Sequence, residues 1–494
     1  MGVWLSRLSY RTHRANGGVQ IRVAWFLAAL ALVTRWQLFG DALADSDEGF
    51  YLLVAERLLR GSVLYVDIWD RKPAGLFLLF AGMRSLGGDG VLAYQIVGTV
   101  FAFATAWLIA KIASRYSHPF GATIAGAAYL LWLPLGSAAG GQAELFSNLP
   151  MAGAALLTLR GLEQPAGARS WHLATMAMLL IGLAVQIKYT ALFVGVFLGC
   201  CWIVCAWRTR SLAVCVLLAA WWIFVALAPT LLVASWYAGH GHLDAFVYAN
   251  FVSVWHRTSP SMIDRLGDLS LLALILAPLL LWVRASHPAA SGRMAYRFVL
   301  GWLAAATAGL LAFGSFMQQF VLPVVMPASA AAAPGLERTR RWLAFVILGT
   351  IFATGQCGLA ISHAVHGSDR EARKIVRAVD SHGCMFIYSG VAALYRLADV
   401  CIPTKYAFPS LLSRQRESGA IGVDPEQEVA RIMDTSPATV IVRSPYDGEN
   451  WRARAVVLRQ VRLDYHLVLR QQLGQRTVSV YRRGSANRDR SRPL

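Results

Sequence analysis

Eleven long apolar runs dominate this 494-residue chain and set what it can fold into. A helix crossing a bilayer needs about 20 mostly apolar residues. Runs of that kind lie near 21–40, 91–110, 119–137, 143–160, 171–187, 189–207, 212–236, 269–284, 296–316, 318–335 and 342–361. Only Gln186 and Lys188 interrupt the fifth and sixth, so one long kinked helix is the alternative there. Charged residues are 15% of the chain, against roughly 25% in soluble domains, too few to solvate a protein of this length. The net charge of +19 does not signal nucleic-acid binding, because its basic groups punctuate apolar runs instead of lining one soluble face.

Charge divides the chain in two. Residues 1–364 hold 25 Lys/Arg and 14 Asp/Glu, whereas the much shorter 365–494 holds 21 and 13. The expected organisation is a cytoplasmic segment over 1–20, a membrane block over 21–361, a small α/β domain over 365–482 and a basic, disordered tail over 483–494. Within the α/β domain the pattern predicts helices over 369–381 and 391–397. Strands are predicted over 384–388, 439–443, 456–463 and 478–481.

Basic residues give the orientation. With the N-terminus inside, sixteen of them fall in cytoplasmic segments: Arg7, Arg11, Arg14 and Arg22; Lys111 and Arg115; Arg160 and Arg169; Arg208 and Arg210; Arg284, Arg293 and Arg297; Arg338, Arg340 and Arg341. Eleven spans then place the C-terminal domain outside, in a bacterial inner-membrane topology. A signal peptide is the rival for the first run, with Ala42-Leu43-Ala44 resembling a cleavage site, but eleven residues including Arg35 separate that site from the apolar core ending at Val33. Of seven cysteines, Cys384 and Cys401 alone share the soluble region and can pair as a disulfide, and no CxxC motif marks a zinc site.

The first outer loop, residues 41–90, is where charge concentrates in the membrane block. It opens with Asp45-Ser46-Asp47-Glu48, continues through an amphipathic stretch over 50–59 expected to lie in the membrane interface, and reaches Asp67-Ile68-Trp69-Asp70-Arg71-Lys72-Pro73. The stretch would hold Asp47 and Glu48 at one end and the Asp-Arg-Lys-Pro segment at the other. Acidic loops also merely solvate a membrane surface, and spacing alone leaves that reading open. Carboxylates with cations, however, suit transfer of a sugar from a lipid phosphate. The leaving phosphate is a stable anion, so one base and a cationic clamp suffice. Asp47 is the candidate base, Glu48 its orienting partner, and Lys72 and Arg71 the phosphate clamp. Lysine is rare, five of 46 basic residues, and two of the five, Lys72 and Lys188, fall at the outer face.

Asp47-Glu48-Gly49-Phe50-Tyr51, followed by Ala55, Gly61, Tyr65, Asp67, Trp69, Lys72-Pro73 and Gly87, resembles the first-loop signature of GT-C-fold membrane glycosyltransferases. The resemblance is to bacterial protein O-mannosyltransferases, the lipid A aminoarabinose transferase and rhizobial lipopolysaccharide galacturonosyltransferases. It implies a catalytic carboxylate in the Asp-Glu pair and a Lys-Pro-Pro contact to lipid phosphate, with Ala74 here replacing the second proline. Glu144, the Gly241-His242-Leu243-Asp244 segment with Asn250, and the run from Phe320 to Pro327 also resemble family segments, although Gln319-Phe320 departs from the usual polar aromatic pair.

The resemblance implies an inverting transfer from a polyprenyl-phosphate sugar to a cell-envelope acceptor. Tyr51, Asp67, Asp70, Glu144, Lys188 and Gln319 are further candidate contacts. No cofactor is expected. His240, His242 and Asp244 could hold a divalent metal, but loop histidines more often simply face solvent. The rival function is a lipid-linked-sugar transporter, which should carry ionisable groups within its spans.

Overall fold

The structure is a computed structural model that describes residues 20–136, 140–164 and 167–484. The N-terminal segment through 19 and the tail from 485 lie outside the described residues. The chain divides into two compact units. The first comprises residues 20–39, 95–230 and 265–359; the second comprises 40–94, 231–264 and 360–484.

The first unit is helical: α1 (Gln20–Leu38), α4 (Val91–Ala113, from residue 95), α5 (Pro119–Trp132), α6 (Ala143–Leu162), α7 (Ala168–Val185) and α8 (Ala191–Trp207), then most of α9 (Leu212–Gly239) and α11 (Met262–Arg284), followed by α12 (Arg293–Phe313), α13 (Leu322–Arg338) and α14 (Arg341–His366). Every one of the eleven apolar runs falls on a helix. Among the described residues, eight helices are long and apolar enough to cross a membrane, and α7 and α8 are shorter apolar helices. Residues 186–190 separate α7 from α8, so the run over 173–207 forms two helices rather than one kinked one.

Small residues let these helices approach closely. A Cβ on Gly161 of α6 would fall 1.8 Å from the Trp202 ring of α8, and one on Gly126 of α5 would fall 2.7 Å from the Ala106 carbonyl of α4. Proline inside a membrane helix removes a backbone donor, and a neighbour must replace it. In α13, Pro334 leaves the Ala330 carbonyl without its helical partner, and the Tyr116 hydroxyl donates to that oxygen at 2.8 Å. One residue on, Ser286 Oγ donates to Ala331 O at 3.0 Å and accepts from Gly335 N at 2.9 Å, bridging the opened rung.

The second unit holds α2 (Ser46–Leu59), α3 (Ala74–Arg84), α10 (Leu243–Val247) and an α/β region. The stretch over 50–59 is helical, as its periodicity predicts, and its first half is buried within the protein. Phe50 through Ala55 are all at most 2% exposed, because α2 packs on α3, an apolar helix that the reading of this loop did not anticipate.

The α/β region contains α15 (Asp369–Arg377), β1 (Met385–Ile387), α16 (Ala393–Ala398), α17 (Ser410–Ser413), α18 (Pro425–Asp434), β2 (Thr439–Arg443), α19 (Trp451–Asp464), β3 (Tyr465–Leu473) and β4 (Arg476–Arg483). Its sheet runs β1-β2-β4-β3, with β1 parallel to β2 and the other pairs antiparallel. Cys384 and Cys401 are bonded, tying the start of β1 to the segment after α16. The strand predicted over 456–463 is instead the body of α19. Asn450 caps it by accepting from Ala453 N at 3.1 Å, and Ala453, Val457 and Val461 recur at i, i+4 on its buried face, so tertiary packing overrides the β-branched composition. The edge strand β3 went unpredicted, most of it being solvent-facing.

Tyr116→Phe keeps the ring volume but strands the Ala330 carbonyl, so it should destabilise the protein by about 1–3 kcal/mol. A lowered thermal unfolding midpoint in detergent checks this, with Tyr129→Phe, whose hydroxyl accepts from Asn148 Nδ2 at 3.3 Å, as a comparison.

Candidate active site

The second unit contains the acidic loop, and its local order begins at a helix cap. The Asp45 side chain accepts from Asp47 N at 2.7 Å, which starts α2 at Ser46 and places Asp47 and Glu48 in its first turn, where free backbone N–H groups favour anions. Successive helical positions diverge by about 100°, and here the carboxylates part company: Glu48 is fully buried, whereas the Asp47 side chain is 26% exposed. Asp47 is therefore the solvent-accessible member of the pair. Tyr51, one turn on, donates its hydroxyl to Asp47 Oδ2 at 3.2 Å.

Lys72 does not lie at the far end of this helix, as expected, but meets its beginning. Its ammonium is 3.7 Å from Asp47 Oδ2, 3.7 Å from Asp70 Oδ2 and 5.0 Å from the centre of the Tyr51 ring. The backbone around it is held tightly. Asp70 Oδ1 accepts from Lys72 N at 2.7 Å, and the Tyr65 hydroxyl lies 2.9 Å from Lys72 O and 3.1 Å from Asn250 Oδ1. Tyr65 adopts φ +69°, a left-handed conformation unusual for an aromatic residue, and its N–H donates to Ile68 O at 2.7 Å to close the turn. Asp67 is exposed and accepts from Val63 N at 2.7 Å, serving that same turn.

Arg71 points to a second cluster. Its guanidinium meets Glu417 Oε2 at 2.5 Å, while Arg257 Nη2 lies 2.8 Å and Arg416 Nε 3.6 Å from Glu417 Oε1. Burial raises the Glu417 carboxyl, but Arg71 and Arg257 outweigh it and hold the group below the usual carboxylate range. Arg416 is pushed down to about 10, by burial first and then by Arg257 and Arg414. Sequence reasoning missed Glu417, Arg257 and Arg416. Arg414-Gln415-Arg416-Glu417 was the local signal, a dense charge run in a segment without periodicity.

The first unit holds Glu144, Lys188 and Gln319. Glu144 sits in the first turn of α6, fully buried, with Oε1 2.7 Å from Lys188 Nζ. That ammonium lies 4.5 Å from the centre of the Phe320 ring, and the neighbouring Gln319 is half-buried. Phe320 also lines a small apolar recess with Phe193, Leu310 and Phe313. His240 stacks on Trp236 at 4.2 Å with Nδ1 2.7 Å from the Trp236 carbonyl, and among the described residues no three His, Cys, Asp or Glu side chains converge as a metal site.

No protein-family model matches the chain, and no curated protein matches it by sequence. Solved structures do. ArnT from Cupriavidus metallidurans bound to undecaprenyl phosphate superposes with a TM-score of 0.61 at 15% identity, covering 92% of this chain and 97% of that one. The apo oligosaccharyltransferase of Archaeoglobus fulgidus gives 0.51 at 11% identity, covering 86% and 69%. The same enzyme, AglB, in complex with an inhibitory peptide and a dolichol-phosphate gives 0.50 at 11%, covering 85% and 69%. The chain is thus a multi-pass membrane protein with the GT-C fold of membrane glycosyltransferases.

Glu417→Gln leaves three arginines around a neutral group and should cost about 3–5 kcal/mol at neutral pH. Because the folded-state pKa is depressed, this stabilisation is present above the unfolded value near 4.5 and is lost as pH falls through the lower folded value. Unfolding of both proteins followed from pH 7 to pH 3 should show their difference shrinking below about pH 4.5.

Proposed function

We propose that the protein is an inverting glycosyltransferase that moves a sugar from a polyprenyl phosphate to a cell-envelope acceptor at the outer face of the membrane. The observation that carries this reading is the Asp47 carboxylate, part-exposed in the first turn of α2, with the Lys72 ammonium 3.7 Å away. Asp47 takes the proton of an acceptor hydroxyl, whose oxygen attacks the anomeric carbon from the face opposite the phosphate. The bond from that carbon to phosphate oxygen breaks, and polyprenyl phosphate departs with its electron pair. Lys72 neutralises the charge gathering there, held in place by Asp70, Tyr65 and Asn250. The undecaprenyl phosphate of the ArnT structure and the dolichol-phosphate of the AglB structure support a polyprenyl donor.

We propose the organisation and topology expected from the sequence: a membrane block over 21–361 and a domain over 365–482, with the N-terminus inside and the C-terminal domain outside in a bacterial inner membrane. The Cys384–Cys401 disulfide supports that location, since such bonds persist in oxidising compartments. The reaction as written needs no metal, and the carboxylates and cations described supply its base and its clamp.

A carrier without transfer chemistry is the second reading, favoured by the Glu144–Lys188 pair buried among helices. One experiment separates the two. Purified wild type and Asp47→Asn are compared on polyprenyl-phosphate sugars, with donor binding measured in parallel. The variant should bind donor and lose at least about 100-fold in transfer rate. Lipid-linked sugar that crosses a bilayer without leaving its carrier would instead establish the carrier reading.

A further inference from the structure

The arginines around Glu417 continue into a second group that, among the described residues, makes no ion pair. Arg443 ends β2 and faces Val478 of β4, so Arg476 stands two positions away on the same strand and the same side of the sheet, a diagonal neighbour of Arg443. The Arg443 guanidinium stacks on the Tyr446 ring at 3.7 Å from its centre. The Tyr446 hydroxyl is anchored to Ser413, 2.7 Å from Oγ and 2.9 Å from the carbonyl oxygen. Ser413 precedes Arg414, which forms an isolated antiparallel bridge with Glu449.

All three arginines are half-buried, and among the described residues none of their side chains forms an ion pair or a hydrogen bond. The nearby Glu449 is occupied, its Oε1 2.7 Å from Arg454 Nη1. Burial first, then Arg476, lowers the Arg443 pKa, and burial with Arg414 lowers that of Arg476. Like charges gathered at half-burial oppose folding, whereas the Glu417 and Lys72 clusters of this unit carry their own counter-ions. Here the fold supplies an aromatic platform and three guanidinium forks, a donor arrangement matched to oxyanions.

We propose that Arg414, Arg443 and Arg476 form a binding site for an oxyanion, a phosphate or carboxylate group carried on the acceptor glycan. That the anion belongs to the acceptor rests on the transferase reading. That the site binds an oxyanion does not.

The test uses the full-length protein in phosphatidylcholine nanodiscs, in a Lys72→Gln background so that the Asp47–Lys72 site adds no phosphate affinity. Calorimetric titration with inorganic pyrophosphate, and separately with a glucuronate disaccharide, should find one site, and the tighter ligand identifies the group. Arg414→Gln with Arg476→Gln should weaken that binding at least tenfold, while Arg476→Lys alone should retain part of it. Removing two mutually repelling charges should leave the thermal midpoint unchanged or higher.

Neither ligand binding, or equal binding by the double variant, overturns the proposal. A lower midpoint with binding retained also overturns it, since that is the mark of a structural cluster. In the Lys72 wild-type background the double variant should raise the acceptor KM and keep kcat. Absence of any transfer there would remove the glycosyltransferase reading and leave the oxyanion site standing on its binding data.

Discussion

Inside hydrocarbon a peptide carbonyl has no water to turn to, and an unsatisfied one costs several kcal/mol. The helical unit depends on meeting that demand, because its helices carry prolines at 150, 229, 278, 327 and 334. Its polar side chains are largely committed to backbone oxygens: Tyr116 to Ala330, Trp132 to Ile275, Gln356 to Thr34 and Arg35 to Gly140. Side chains spent in this way are unavailable for chemistry. Glu144 and Lys188 pair with each other instead, 2.7 Å apart.

The other unit has the opposite economy. It lies rich in ionisable groups, and its order comes from sharing them. One ammonium serves two carboxylates at Lys72, and one carboxylate serves three guanidiniums at Glu417. Sharing of this kind leaves an excess of carboxylates around Lys72 and of guanidiniums around Glu417. A charge satisfied by a single dedicated partner, such as Arg454 with Glu449, leaves no such excess.

Much of the helical unit was legible in the sequence because hydropathy is a local signal and lipid penalises every departure from it. The Asp47–Glu48 pair was legible by its position after the first apolar run and by the motif around it. What stayed hidden was non-local. Nothing near Lys72 in sequence says that it meets Asp47 instead of standing a helix length away, since that contact depends on the left-handed turn at Tyr65 and on Asn250, 185 residues on. Glu417 was hidden for the same reason: its partners come from residues 71, 257 and 416, three places with no common pattern. In the α/β region, β2 matched its predicted bounds and α19 did not, because two adjacent valines outweighed the i, i+4 recurrence that packing actually uses.

The division between lysine and arginine carries the argument one step further. A guanidinium is a rigid fork whose several donors settle into fixed geometry, and Arg71 and Arg257 are locked on Glu417 in that way. An ammonium is a compact charge on a flexible stem, with donors that rotate. Lys72 lies 3.7 Å from each of its two carboxylates, closer to neither, over an aromatic face that holds it without directing it. On the proposed transferase reading, such a cation can turn toward a phosphate with little loss. A fork in the same position would have to break a directed pair first, which gives a physical reason for a lysine here in a chain that mostly uses arginine.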